Sequence, residues 1–390
     1  MSATLAPPEG SAEATGGVHD RAAFRAFTDA HVAPHAREWD RAEAISQDVI
    51  RQLAERGWLG ALLPPEVGGL GMDMVTFGAL NEELGRGCSS VRSLITVHSM
   101  LSFALHRWGS REQKERWLRK LAAGELIGAF ALTEPEVGSD AASIAAEAVR
   151  DGDDYVVTGV KRWITFGQIG DLFVVFAKNE GKPLALLVER DTPGLTIEPI
   201  RGVIGTRAAM LAEMTFDHAR VPASNRLGGP GFGMAVALTA LEIGRFSVAT
   251  GSVGIIQACL EASMTYASTR HQFGSPISKH QLIRQMLTNM AAESRAARLL
   301  CENAGRLYDA GDPAAREEIF IAKYFASTAC TRAALDCVQI HGGNAVTDAY
   351  PAERLLRDSR VMEIIEGSTQ VMQITIAKQE LEAFLGKQNA

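Results

Sequence analysis

The sequence predicts a mainly α-helical protein with a central β domain, because the spacing of its apolar residues changes twice along the chain. Apolar residues recur every three or four positions from Asp20 to about Leu126, and again after Gly233. Short β-prone runs separated by turns lie between these regions. We therefore expect a disordered tail over 1–17, an N-terminal helical domain over 18–126, a middle β domain over 127–232 and a helical bundle over 233–390.

The N-terminal region is expected to form helices with one interruption. Phe24, Phe27 and Leu53 belong to apolar stripes with charged residues between them. The prolines and glycines of the segment 64–71 break this pattern and predict a loop. Helical spacing then resumes and continues through Leu105.

The middle region is expected to form an antiparallel sheet or barrel. Four β-prone runs lie at 155–160, 172–176, 184–188 and 213–216. Turn signals rich in Gly, Pro and Asp separate them. Because no helix-length segment intervenes, a parallel α/β sheet is disfavoured. After the glycine-rich run 228–233, which is interpreted as a hinge, three long apolar-striped segments predict an antiparallel bundle.

Composition argues against several classes of function. The chain is 46% apolar and 22% charged with a net charge of −7, so no general attraction to nucleic acid or anionic membranes is expected. Its five cysteines lack metal-ligand spacing, so no metal site is expected, and their odd number argues against a disulfide framework. The N-terminus has no signal-peptide pattern, and no charge-free apolar segment reaches membrane-spanning length. We therefore expect a cytoplasmic protein.

Glu366 stands out near the C-terminus, because two isoleucines precede it and Gly367 follows it. A carboxylate walled by Ile364 and Ile365 is poorly solvated, so its pKa and its basicity should rise. Such a group suits the abstraction of a weakly acidic carbon-bound proton. Alternatively, Glu366 caps a helix that begins near Ser368, where the helix dipole favours an anion.

Two further segments carry groups suited to a ligand. Thr133, Gly138 and Ser139 belong to an irregular loop whose hydroxyls and amides can donate hydrogen bonds to an oxygen-rich ligand. Alternation along a strand would put Trp163 and Thr165 on one side, which suits a planar heterocycle. A structural turn and an ordinary inward-facing strand pair are the alternatives.

Together with the segments 270–274 and 338–343, these elements resemble the acyl-CoA dehydrogenase family of flavoenzymes, in order and spacing, from about residue 20 to 385. The segment 64–71 also resembles the family's P-x-x-x-G-G-x-G loop. The resemblance implies three domains, the last a four-helix bundle, with FAD between the last two domains and reaching a neighbouring subunit. It therefore implies a homo-oligomer, either a dimer or a tetramer.

The resemblance also implies which residues contact cofactor and substrate. Thr133 would bind the pyrimidine side of the flavin, Thr165 would lie near N5, and Arg270 would reach the pyrophosphate from the partner subunit. The full set implied for FAD is Leu132, Thr133, Gly138, Ser139, Trp163, Thr165, Arg270, Phe273, Gln339, Gly343, Ser368 and Gln370. The set implied for the substrate is Ser139, Glu242, Arg245 and Gly367.

For catalysis, the resemblance implies that Glu366 removes the α-proton of an acyl thioester while a hydride leaves the β-carbon for flavin N5. Some family members carry the base on a bundle helix, just before an arginine. Here Gly244 occupies that position, before Arg245, which favours Glu366. The segment 366–370 has Ser368 where the family usually has Thr, a change that keeps the hydroxyl.

Two segments, 88–93 and 362–368, resemble more closely the carrier-protein-linked dehydrogenases of polyketide and peptide antibiotic pathways. The expected substrate is therefore an acyl thioester of CoA or of an acyl carrier protein, with electron-transferring flavoprotein or O₂ as electron acceptor. A competing function is that of a flavin-dependent monooxygenase or nitroalkane-oxidase-like enzyme, although those tend to lose the glutamate. A non-enzymatic helical assembly protein would leave the segments around Trp163 and Arg270 unexplained.

Overall fold

The computed structural model describes residues 19–388, so the tail expected over 1–17 lies outside the described residues. The N-terminal region is helical, as predicted. Its first helix is capped by Asp20, whose side chain accepts a hydrogen bond from the Ala23 N–H at 2.8 Å. The helices of this region are α1 (Arg21–Phe27), α2 (Ala36–Ala42), α3 (Gln47–Glu55), α4 (Met74–Gly87), α5 (Ser89–Trp108) and α6 (Arg111–Ala122). The predicted loop 64–71 lies between α3 and α4 and contains one short helical turn, Pro65–Val67.

The middle of the described chain forms an eight-stranded sheet. Its strands are β1 (Gly128–Ala131), β2 (Glu147–Asp151), β3 (Asp154–Ile164), β4 (Leu172–Asn179), β5 (Lys182–Glu189), β6 (Leu195–Pro199), β7 (Ala212–Pro222) and β8 (Arg226–Leu227). Their order is β6–β7–β3–β2–β4–β5–β8, with β1 beside β4. The sheet is mostly antiparallel, as predicted, but β1 and β2 pair with β4 in parallel. A parallel pair needs a long connection: β2 and β3 lie between β1 and β4 in the chain, and β3 lies between β2 and β4.

The C-terminal region of the described chain is a helical bundle, as predicted. Its helices are α7 (Gly233–Thr269), α8 (Gln281–Asp309), α9 (Ala315–His341), α10 (Ala352–Met362) and α11 (Thr369–Gln388). A small antiparallel pair, β9 (His271–Gln272) and β10 (Ser275–Pro276), connects α7 to α8 and was not predicted.

Helix α7 crosses α4 at very short range. A Cβ atom on Gly254 would lie 2.0 Å from Glu82 O, and one on Gly85 would lie 2.7 Å from Gly251 O. Glycine is required here because any side chain would push the two backbones apart. Among the described helices, α7 is the one long and apolar enough to cross a membrane, and 89% of its most apolar window is buried inside the protein. Burial of this kind is typical of a core helix.

Candidate active site

Glu366 lies in the turn between α10 and α11, with a left-handed backbone (φ = 57°). A residue other than glycine seldom adopts this conformation, so the contacts around the turn must hold it. One such contact is the Thr369 N–H, which donates to Glu363 O at 2.9 Å. The cap of α11 is Ser368, whose Oγ accepts from the Val371 N–H at 3.4 Å. The helix-capping alternative for Glu366 is therefore wrong.

The Glu366 carboxylate lies against α7. A Cβ atom on Gly244 would be 2.3 Å from Glu366 Oε2, so the carboxylate occupies the space of a missing side chain. Although part of the residue reaches the surface, Oε2 is buried and has no hydrogen-bond partner in the described chain. Burial raises the pKa of Glu366 to about 7, against the opposing charges of Arg245, Lys323 and Arg92. A carboxyl group with this pKa exchanges its proton near neutral pH.

The wall that desolvates this carboxylate differs from the predicted one. Ile364 is 54% exposed and Ile365 is only partly buried, so the two isoleucines do not enclose Glu366. The carboxylate lies instead beside Gly244, where a Cβ atom would also be 2.9 Å from Met100 Sδ. Burial of the base therefore comes from the packing of α5 and α7, not from its neighbours in the chain.

Two buried cations hold the turn that carries the base. Arg245 Nε donates to Glu366 O at 3.1 Å, and Lys323 Nζ donates to Gly367 O at 2.6 Å. Lys323 is fully buried, and burial lowers its pKa to about 8. Both charges also oppose the rise in the pKa of Glu366. The sequence predicted Arg245 and Gly367 as site residues but did not point to Lys323. The sign that could have found it is a single lysine among the apolar residues of α9.

The remaining residues predicted to contact substrate differ in their surroundings. Glu242 accepts from Arg316 Nε at 2.9 Å in an ion pair between α7 and α9. The Arg245 guanidinium lies 4.6 Å from the centre of the Phe320 ring, and its Nη1 is buried without a partner. Ser139 is exposed in the loop that follows β1. The structure thus brings Arg245 and Gly367 to Glu366, while Ser139 belongs to a separate loop.

The loop after β1 is attached to the end of β3. The Arg162 N–H donates to Thr133 O at 2.8 Å, and Lys161 Nζ donates to Leu132 O at 3.0 Å. Lys161 is fully buried and also pairs with Glu134 at 2.6 Å. Burial lowers the pKa of Lys161 to about 8, although Glu134 opposes this shift. This buried ion pair fixes the backbone of the predicted Leu132 and Thr133 site beside β3.

The prediction that Trp163 and Thr165 alternate along a regular strand is wrong. The register between β3 and β7 shifts between Lys161 and Ile164, and Trp163 has a left-handed backbone (φ = 64°). The irregularity leaves the Trp163 side chain 48% exposed, with Thr165 in the turn beyond the strand. An accessible aromatic ring and a nearby hydroxyl fit the planar ring system of a flavin.

A second group of predicted cofactor residues lies at the bundle, around a cavity of about 350 Å³. Arg270 and Gly343 line it together with Gln272, which was not predicted, and Arg270 has no carboxylate partner within residues 19–388. Phe273 is 95% exposed, and Gln339 is exposed near the end of α9. An unpaired guanidinium beside a side-chain-free glycine backbone fits a phosphate group.

Neither of the two cavities described within residues 19–388 is lined by both groups of cofactor residues. The first group offers an aromatic ring and hydroxyls, and the second offers a cation, so together they fit the two ends of FAD. The other predicted contacts, which are Gly138, Ser368 and Gln370, are exposed or partly exposed.

Family models match the chain over most of its length. The acyl-CoA dehydrogenase N-terminal domain matches residues 20–125, the middle domain matches 129–219 and the C-terminal domain matches 231–381. The chain belongs to the acyl-CoA dehydrogenase family. This membership confirms the predicted three-domain fold and makes the protein an oxidoreductase that acts on CH–CH groups.

Two similar acyl-CoA dehydrogenases span nearly the whole chain. Probable acyl-CoA dehydrogenase YngJ of Bacillus subtilis (strain 168) is 40% identical over 91% of this chain and 95% of its own length. The mitochondrial short-chain specific acyl-CoA dehydrogenase of Rattus norvegicus is 35% identical over 93% of this chain and 90% of its own. Both of these relatives are named acyl-CoA dehydrogenases, and each aligns with more than nine-tenths of this chain.

Three solved structures of the same fold bear on cofactor and substrate. Glutaryl-CoA dehydrogenase from Mycobacterium smegmatis in complex with FADH2 has a TM-score of 0.88 and 32% identity, covering 94% of this chain and 93% of its own. The prolyl acyl carrier protein oxidase AnaB has a TM-score of 0.87 and 30% identity, covering 92% and 97%. FkbI, for biosynthesis of a methoxymalonyl extender unit, has a TM-score of 0.85 and 31% identity, covering 93% and 99%.

Proposed function

We propose that the protein dehydrogenates a saturated acyl thioester in an FAD-dependent reaction with Glu366 as the base. The observation that carries this proposal is the Glu366 carboxylate, which has a buried, unpartnered Oε2 beside Gly244 and a pKa of about 7. A base in this state can take the α-proton next to a thioester carbonyl at neutral pH. The acyl-CoA dehydrogenases named among the relatives support this reaction class.

Bound FAD would supply the acceptor for the hydride that leaves the β-carbon. We assign the flavin ring to Trp163, Thr165 and Thr133, and the phosphates to Arg270, with Gly343 in the same cavity. The exposure of these groups and the FADH2 complex of a similar dehydrogenase support this assignment. The other FAD contacts proposed are Leu132, Gly138, Ser139, Phe273, Gln339, Ser368 and Gln370.

The chain itself positions the proton transfer. Arg245 and Lys323 hold the two peptide carbonyls of the turn, so the Glu366 carboxylate keeps one orientation toward α7. The Glu366 N–H would donate to the thioester carbonyl and stabilise the enolate-like charge that develops when the α-proton leaves. The base and the N–H that donates to the thioester carbonyl then belong to one residue, so movement of the turn would disturb both.

We infer that the acyl group arrives on the phosphopantetheine arm of an acyl carrier protein. The likeness of the segments 88–93 and 362–368 to the carrier-protein branch supports this, as do the similar structures of AnaB and FkbI. CoA would add a charged adenosine phosphate, for which a basic cluster is expected, whereas the chain has a net charge of −7. The retained Glu366 argues against the monooxygenase alternative.

We also propose a homo-oligomer in which FAD contacts Trp163 of one subunit and Arg270 of the partner subunit, because these two residues line no common cavity described within residues 19–388. Electrons would leave the reduced cofactor for electron-transferring flavoprotein or for O₂. Oxygen consumption during turnover, measured with and without electron-transferring flavoprotein, distinguishes the two acceptors.

The test of function is anaerobic reduction of the enzyme-bound flavin, followed by absorbance. Saturated acyl groups are presented both as CoA thioesters and on an acyl carrier protein. Faster bleaching of oxidised flavin with the carrier-bound thioester is expected. Equal rates with both carriers would leave a conventional acyl-CoA dehydrogenase, and no bleaching by any saturated thioester would contradict the proposed function.

A further inference from the structure

The segment 200–211, which joins β6 to β7, contacts both halves of the candidate active site. Its two ends meet where the Ile200 N–H donates to Leu211 O at 2.8 Å. Between them, Thr206 and Met210 both have left-handed backbones, with φ of 49° and 48°. Residues other than glycine seldom adopt this conformation, so the contacts of the segment must hold it in place.

One side of the segment is bound to the end of β3 that carries the proposed flavin contacts. The Phe166 N–H donates to Ala209 O at 2.8 Å, and the Gln168 N–H donates to Met210 O at 3.3 Å. Because these bonds begin one residue beyond Thr165, displacement of the segment would move the backbone that carries the Thr165 hydroxyl.

The other side of the segment is bound to α10, the helix that leads into the turn carrying the base. The Thr206 N–H donates to Asp358 Oδ1 at 2.6 Å, and Arg357 Nη1 donates to Ile204 O at 3.1 Å. The two backbones also approach closely, since a Cβ atom on Gly205 would lie 2.3 Å from Arg357 O. The segment therefore cannot move relative to α10 without breaking these contacts.

Asp358 is a buried acceptor in this contact. It is 2% exposed, and Arg354 Nη1 lies 3.4 Å from its Oδ2. Burial raises the pKa of Asp358, while the Arg354 charge and the Thr206 N–H both oppose the rise. A buried donor without an acceptor destabilises the fold, so removal of this carboxylate would release the Thr206 N–H and loosen the segment.

Helix α10 carries this contact to the base. Asp358 lies eight residues before Glu366, and the Ile365 N–H donates to Val361 O at 3.1 Å where the helix passes into the turn. Within residues 19–388, no hydrogen bond joins the flavin-binding end of β3 directly to this turn. The segment 200–211 therefore connects them through its hydrogen bonds to each.

We infer that Asp358 is a positioning residue, which fixes the flavin-binding end of β3 relative to Glu366 through the Thr206 N–H. This inference rests on the proposed function. In that reaction the acyl group must present its α-carbon to the base and its β-carbon to the flavin. A misplacement of about 1 Å between reacting groups can cost about 100-fold in rate. Asp358 should thus affect hydride transfer more than proton abstraction, which depends on the turn that carries Glu366.

The test separates these two steps in the FAD-loaded protein. Flavin reduction by a saturated acyl thioester measures hydride transfer. A thioester with sulfur in place of the β-carbon has no β-hydride, so exchange of its α-protons with D₂O measures proton abstraction alone. Asp358→Ala should slow flavin reduction by about 10- to 100-fold and leave α-proton exchange within about threefold. Asp358→Asn keeps an oxygen that accepts from the Thr206 N–H, so it should restore most of the lost rate.

Gly205→Ala is a second variant that keeps the carboxylate. Its Cβ atom would force the segment away from Arg357 O, so flavin reduction should again slow more than α-proton exchange. This variant tests the same connection without leaving the Arg354 charge unpaired.

Amide hydrogen exchange of the FAD-loaded protein, without substrate, gives a readout besides activity. Asp358→Ala should speed exchange in peptides covering 163–168 and 200–211, because both lose an attachment to α10. Glu43→Ala is the matched control: Glu43 accepts from Arg207 Nη2 at 2.9 Å and anchors the same segment to the end of α2. It should speed exchange in 200–211 and leave the ratio of flavin reduction to α-proton exchange unchanged.

Three results would overturn the positioning role of Asp358. These are equal slowing of both steps in Asp358→Ala and Gly205→Ala, flavin reduction at the parent rate in either variant, and the same change of ratio in Glu43→Ala. A parent protein that catalyses neither flavin reduction nor α-proton exchange would instead overturn the proposed function, so the two failures are distinguishable.

Discussion

A Cβ atom on Gly244 would lie 2.3 Å from Glu366 Oε2, so α7 and the α10–α11 turn converge on one position. A carboxylate at that position can be presented from either element. Glu366 occupies it here because residue 244 has no side chain to fill it.

We therefore expect that the base can be moved from the turn to the helix. Glu366→Gly should slow flavin reduction by a saturated acyl thioester by about 10²–10⁴-fold, the usual effect of losing a general base. Adding Gly244→Glu should restore at least about tenfold, because the new carboxylate reaches the same space from α7. The control is Gly244→Gln in the same Glu366→Gly background. Equal rates for the Glu and Gln double variants would contradict a shared position.

The rate of flavin reduction should depend on pH through Glu366. Its pKa of about 7 means that the base is protonated at lower pH and free at higher pH. The rate should therefore rise through about pH 7 and level off above it. A rate that is flat between pH 5.5 and 8.5, an interval chosen to bracket this pKa, would show that another group limits the reaction.

Glu366 should also make the stability of the folded protein depend on pH, but stability should fall as pH rises, whereas the reaction rate should increase. The folded protein keeps the proton on Glu366 up to about pH 7, whereas an unfolded glutamate loses it near its ordinary value of 4.5. The free energy of unfolding that Glu366 contributes should thus fall as pH rises between these values. Denaturant unfolding of the parent and of Glu366→Gln should differ in pH dependence only in this window. Parallel pH profiles would contradict the raised pKa.

Lys323 should act on the base through charge and position. Lys323→Met removes the donor to Gly367 O and a cation that lowers the pKa of Glu366, so the pH midpoint of flavin reduction should move upward and the rate at neutral pH should fall. Lys161→Met is the matched control, since Lys161 is also buried but pairs with Glu134. It should weaken flavin binding and leave the midpoint unchanged. Equal shifts in both variants would argue against a specific role for Lys323.

Arg270 should bind FAD across a subunit boundary. Arg270→Gln should weaken FAD binding by about 1.5–3 kcal/mol, the range for hydrogen bonds to charged groups, without changing the oligomeric state. The control is Arg332→Gln, because Arg332 pairs with Glu293 outside the cavity. Flavin titration of the apoprotein and sedimentation velocity measure the two properties. A folded monomer with full FAD occupancy would rule out a shared site.

Local patterns predicted the layout of the fold because each depends on residues close in sequence. The β-prone runs at 155–160 and 172–176 lie within β3 and β4. The parallel pairing of β1 with β4 was not predicted, since strand pairing depends on contacts far apart in the chain. The bulge at Trp163 was missed for a related reason: register against β7 sets it, not the alternation of residues.

In the site, too, features set by neighbouring residues in the chain were predicted, whereas features set by distant contacts were missed. Glu366 was found because its neighbours in the chain form a motif. Its burial was assigned to Ile364 and Ile365, of which Ile364 is exposed and Ile365 only partly buried. A sequence does not show that Gly244 and Met100 meet the carboxylate. Lys323 belongs to no motif, and its role becomes visible only when α9 packs against the turn.

The role of Glu366 as base is tested most directly by single-turnover reduction of the bound flavin in Glu366→Gln. Glutamine keeps the shape of the side chain but cannot accept the α-proton. With FAD content equal to that of the parent, the reduction by a saturated acyl thioester should slow by about 10²–10⁴-fold or more. Reduction at the rate of the parent protein would contradict the assignment of Glu366 as the base.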